Sequence, residues 1–126
     1  MVSVEFLAHL SVLFSLYILL LISLNLTAGY CGMLTVAHAM FFGIGAYAGA
    51  HAAIALSPEI IVTFAAGMIA AGALAAMMGP WLVRLHGDYF VLATFALQAM
   101  AYELFINLGT ITGGVNGLGA IPALQV

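Results

Sequence analysis

The chain has 126 residues, of which 67% are hydrophobic and 4% charged, with a mean hydropathy of +1.30 and a formal net charge of −3. A soluble domain carries charge on about a quarter of its residues, so this composition cannot cover a water-facing surface and specifies an integral membrane protein or a piece of one. It offers no basic patch to nucleic acid or anionic lipid headgroups, and its single cysteine, Cys31, cannot form an intrachain disulfide.

Four apolar runs follow one another, over residues 6–28, 31–56, 60–83 and 89–108. At about 1.5 Å per residue each is long enough to cross a bilayer core. No run alternates with period two, which argues against a membrane β-barrel. The expected fold is therefore all-α: a polytopic transmembrane helix bundle of about four spans, one domain over residues 1–126, and part of a larger assembly. No Lys or Arg precedes the first run, so that run is not expected to be a secretory signal peptide.

The breaks between runs carry their own signals. Ser57, Pro58 and Glu59 read as a helix start, with Ser57 as N-cap and Pro58 at the first helical position. Pro80 is expected to kink the third run or end it early, because it has no N–H to give the Ala76 carbonyl. Gly87 and Asp88 end one helix and cap the next. Trp81, Arg84, His86 and Tyr89 cluster as at a membrane–water interface. Arg84 is the only basic side chain apart from histidine, so the positive-inside rule puts this turn in the cytoplasm. The turn at residues 57–59 and both termini then face outward, and the glycine-rich tail over residues 109–126 lies on the outer face.

Small residues recur at helical spacing. Gly45 and Gly49 form a GxxxG pair, the small residues Ala39 and Gly43 repeat the four-residue spacing, and Gly67, Ala71, Ala75 and Gly79 lie four apart. Lipid gives no hydrophobic drive between helices, so close backbone approach at such positions is expected to hold the second and third helices together. Among polar residues, His38 falls well inside the second run and Gln98 in the middle of the fourth, where a bond across helices is expected. His38 reads as a neutral histidine bonded to a neighbouring helix or as part of a solute path. His51 sits on a different face of the same run, and His9 and His86 read as interfacial. No nucleophile–base constellation or set of metal ligands is present, so no catalytic residue, metal or cofactor is expected.

Three motifs resemble a known family. Leu24, Asn25 and Leu26 precede GYCGMLTVAHA, which starts at Gly29, and FFGIGAY follows from Phe41. This is similar to the LNLxxGYxGxLSxGHAxFFGIGAY pattern of bacterial branched-chain amino acid ABC permeases, and nearer to their M-type subunit. The stretch LVRLHGDYF from Leu82, with Thr94 after it, resembles the family's RLRGxYFAxxT. Thr112, Gly113 and Gly114, then Asn116, Gly117, Leu118, Ile121 and Pro122, resemble its TGGxxGLxGIP. Thr35 stands where Ser is usual, Ala37 where Gly is usual, and Asp88 where an apolar residue is usual.

The resemblance implies an inner-membrane permease subunit of an ATP-driven, binding-protein-dependent importer. Its partners would be a second permease subunit, cytoplasmic ABC ATPase subunits that carry the ATP chemistry, and an extracellular substrate-binding protein. It implies a solute path for which His38, Phe42, Tyr47 and Gln98 are the candidate lining residues. Family members are about twice as long, so the chain is expected to lack their first helix and their second half with its ATPase-coupling segment. Three alternatives remain open: urea or short amides as solute, a proton-coupled carrier using His38 and Glu103, and a non-transporting truncated fragment.

Overall fold

A computed structural model describes residues 2–119 and 121–122; residue 120 and residues 123–126 of the expected outer tail lie outside it. The described residues are helix, turn and irregular segments, with one isolated bridge residue at Glu59. The chain divides into two compact units, Met1–Thr35 and Val36–Val126.

The first unit is one long helix, α1 (Val4–Asn25), continued by a π-helical turn over Leu26–Tyr30. Ser3 caps it: its hydroxyl accepts the Phe6 N–H at 3.3 Å, and Glu5 lies in the positive first turn. The hydroxyls within the helix are turned back on its own carbonyls. Ser11 donates to Leu7 at 2.8 Å, Ser15 to Ser11 at 2.9 Å and Thr27 to Ser23 at 3.2 Å. A helix that satisfies its polar groups internally and exposes apolar side chains all round suits hydrocarbon, where no water is at hand.

The second unit holds α2 (His38–Ala55), α3 (Ile60–Leu82), α4 (Asp88–Asn107), the single turn α5 (Gly109–Thr112) and a 3₁₀ turn at Gly114–Asn116. Among the described residues, three helices are long and apolar enough to cross a membrane: Val4–Tyr30, α3 and α4. The second apolar run differs from expectation. Its helix begins only at His38, leaving residues 31–37 irregular, and it then runs unbroken through Gly43 and Gly45 to Ala55. His38 is therefore the first residue of a helix rather than a residue two turns inside one.

Two other boundaries also move. Glu59, not Ser57, is the N-cap of α3; its extended backbone (ψ 134°) holds the chain off the helix for one more residue, and no side chain caps the end. The restriction Pro58 places on Ser57 favours the same extended path. Pro80 does not stop α3, which continues to Leu82 and closes with the Val83 N–H on the Gly79 carbonyl at 2.9 Å. So near a C-terminus the proline deprives only one carbonyl, that of Ala76, of its donor.

α2 and α3 form an antiparallel hairpin in which backbones nearly touch. A Cβ built on Gly67 would come 2.7 Å from the Gly45 carbonyl oxygen, and one on Gly49 would come 3.0 Å from that of Thr63. Ala71 flanks the crossing, with its Cβ 3.7 Å from one built on Gly45. Farther along α3, Gly79 has nothing within 4 Å and Ala75 is exposed. The small-residue repeat is thus longer than the contact it makes with α2.

Candidate functional site

α2 packs on α4 with the opposite side of its cylinder. At about 100° per residue, Gly43, Tyr47, Met40 and His51 lie roughly half a circumference from Gly45 and Gly49. On α4 the matching stripe is Thr94, Gln98, Ala101 and Phe105, spaced i, i+4, i+7 and i+11. Ala37, Met40 and Ala101 form the buried centre of this seam, with Phe41, Ile44, Leu97 and Phe105 packed around it and Leu74 and Met78 arriving from α3. Phe105 is the main side-chain contact. Its ring lies 5.0 Å from that of Tyr47, tilted by 41°, and its Cε2 would be 2.8 Å from a Cβ on Gly43.

Polar atoms pin both ends of the seam. Near the start of α2, the Thr94 hydroxyl accepts the Val36 N–H at 3.2 Å and donates to the Val91 carbonyl at 2.9 Å. Thr94 is 1% exposed, and no larger side chain among the described residues is so completely buried. Toward the other end, His51 Nε2 donates to the Ile111 carbonyl at 2.6 Å, which fixes the proton on that nitrogen. Because Val36 meets the seventh residue of α4, α2 begins about 9 Å along α4 rather than level with its start.

The loop beyond α4 is built by Thr112 and glycine. Thr112 is 3% exposed. Its one hydroxyl proton is shared between the carbonyls of Phe105 and Leu108, and its oxygen accepts the Gly114 N–H at 3.4 Å. Gly113 has φ +76°, and a Cβ there would run into the Gly117 carbonyl oxygen, so no other residue fits without rebuilding the turn.

The four candidate path residues are not gathered on one face. Tyr47 lies in the seam against Phe105. Gln98 lies on the stripe of α4 that faces α2. Its Oε1 is enclosed and has no hydrogen-bond partner, in place of the bond across helices that its mid-span position led one to expect. Phe42 is 45% exposed, about 140° round α2 from Tyr47. His38 is half-buried at the head of α2, about 180° from Tyr47. Glu103 is exposed on α4 and accepts from Asn107 Nδ2 at 3.2 Å. In the sequence Thr94 and Thr112 stand out only as motif letters; the signal that both are structural is a hydroxyl in a stretch with no water to satisfy it.

Comparison with known proteins places these features in context. Residues 6–125 match the family described as branched-chain amino acid transport system / permease component. The high-affinity branched-chain amino acid transport system permease protein LivM of Escherichia coli K12 is 33% identical over 111 residues, covering 85% of this chain and 25% of the relative. The protein of the same name from Salmonella typhimurium LT2 is 33% identical over 112 residues, with the same coverage of 85% and 25%. The chain thus spans about a quarter of the length of these relatives, which are longer than the doubling expected from the motifs. No solved structure matches. With nearly its whole length inside the match, the chain belongs to the family of branched-chain amino acid transport permease components.

Proposed function

We propose that the chain forms part of the membrane pathway of an ATP-driven importer for branched-chain amino acids, in a bacterial inner membrane. The observation that carries this reading is the family match over residues 6–125, on a chain whose helices have the length and apolarity to span a bilayer. A binding protein delivers the solute at the outer face, a second permease subunit completes the path, and ATP hydrolysis belongs to cytoplasmic partner subunits. Arg84, exposed in the turn between α3 and α4, supports a cytoplasmic position for that turn. The α2–α3 turn and the Thr112 loop then face outward.

Within the path we assign solute contact to residues of α2 and α4 that lie on more than one face. Tyr47 and Gln98 lie on the seam, His38 stands at the head of α2, and Phe42 is presented from α2 toward whatever lies beside it. The motion that alternates access uses the small-residue crossing of α2 and α3, where few side chains interlock.

The test is co-expression of the chain with a permease partner, an ATPase subunit and a binding protein, followed by purification and reconstitution. ATP-dependent uptake of labelled L-leucine together with a co-purifying ATPase supports the reading. Leucine uptake that survives ATP depletion and follows a proton gradient overturns it. Uptake by His38→Ala at the unaltered rate removes His38 from the path.

A further inference from the structure

We propose that Thr94 is a positioning residue that fixes where α2 begins and, through that start, holds the head of α2 in register for the solute. The inference rests on the permease reading above. Ala37, the N-cap of α2, has no side chain able to cap; it is fully buried, and the exposed Val36 before it stands in an apolar stretch. Backbone donors at such a helix entrance need an acceptor from elsewhere. Thr94 provides one from 58 residues away, to the Val36 N–H at 3.2 Å.

Its hydroxyl is well suited to the task. The proton is committed to the Val91 carbonyl one turn back at 2.9 Å, which locks the rotamer and aims the oxygen lone pairs outward from α4. The acceptor is therefore rigid, and so is the point at which α2 starts. A slip of the start by one residue would turn every side chain of α2 by about 100° and move it about 1.5 Å along the axis. Gly45 would leave Gly67, Gly43 would leave Phe105, and His38 and Tyr47 would both change neighbours. One hydroxyl thus sets the register of both contacts of α2.

The test uses the full chain in lipid nanodiscs with Cys31→Ser, carrying a spin label either at Ala39→Cys, exposed in the first turn of α2, or at Ile54→Cys, exposed in its last turn. Each is combined with Thr94→Val, which keeps the shape and removes the hydroxyl, or with Thr94→Ser, which keeps the hydroxyl. We expect Thr94→Val to mobilise the label at position 39 but not at 54, and to weaken binding of labelled L-leucine about tenfold, as expected when a buried donor is left unpaired. Thr94→Ser restores both. An unchanged label at 39, equal mobilisation at 39 and 54, leucine binding that ignores a mobilised α2 head, or failure of Thr94→Ser to rescue each overturns the proposal. If the parent chain binds no leucine, the solute reading falls with its part of the proposal, and the labels alone decide whether Thr94 anchors the helix.

Discussion

The two sides of α2 are held by different kinds of contact. Toward α3 the contact is backbone on backbone: Gly67 against the Gly45 carbonyl and Gly49 against that of Thr63. Toward α4 it is side chain on side chain, with Phe105 filling the space over Gly43 and beside Tyr47, and with a hydrogen bond toward either end. The first kind leaves no room for an added atom at Gly67, because a backbone carbonyl cannot turn aside. The second kind tolerates repacking, because a ring can. The α3 side should therefore be sterically strict but able to slide, and the α4 side sterically lenient but fixed in register.

Substitutions that add or remove single groups break this comparison in a graded way. The largest effect is expected from Gly67→Ala, whose Cβ would meet the Gly45 carbonyl oxygen at 2.7 Å. It should lower stability by about 2–3 kcal/mol, read from thermal unfolding in detergent, and no change at Gly45 can relieve it because the clash is with backbone. Gly43→Ala places its Cβ 2.8 Å from a ring carbon of Phe105, so its cost should be nearer about 1 kcal/mol. Combining it with Phe105→Leu should cost less than the sum of the two single changes in a double-mutant cycle. Additivity of that pair would mean the two sides do not differ in kind. His51→Ala removes the bond to the Ile111 carbonyl and should cost about 1 kcal/mol, with faster amide exchange confined to the Thr112 loop. The smallest effect, and the only favourable one, is expected from Gly72→Ala. That glycine has nothing within 4 Å, so the better helix propensity of alanine should raise the unfolding temperature slightly, by up to about 1 kcal/mol of stability.

Much of this architecture was legible in the sequence, because apolar length and small-residue spacing are local signals. Helices α1, α3 and α4 fall within a few residues of their apolar runs, and Gly45, Gly49 and Gly67 stand where α2 and α3 approach. The start of α2 was not legible. Residues 31–37 are as apolar as the helix that follows, and the Val36 N–H near their end is bonded to a hydroxyl on α4, far along the chain. Gly43 illustrates the same limit. Two positions from Gly45, it looks like a member of one packing face, but two residues of helix turn it to the opposite side, against Phe105. Gly79 and Ala75 continue a spacing that has no partner on α2, since a repeat in sequence does not say where a neighbouring helix stops. The candidate path residues were legible as residue types that are unusual in an apolar chain; their faces were not, because those depend on where α2 begins.

Thr112 has a consequence for how the loop after α4 survives beside lipid. Where a bound water links carbonyls at a helix end with the amide beyond it, ordering that water costs up to about 2 kcal/mol. Here a side-chain oxygen stands in the water's position, sharing its one proton between the carbonyls of Phe105 and Leu108 and accepting from Gly114. Because it is covalently tethered, it cannot be lost when the surroundings dry out, and drawing it away means unfolding the turn. The loop is in effect permanently hydrated by one oxygen of its own, and its shape does not depend on how wet its surroundings are.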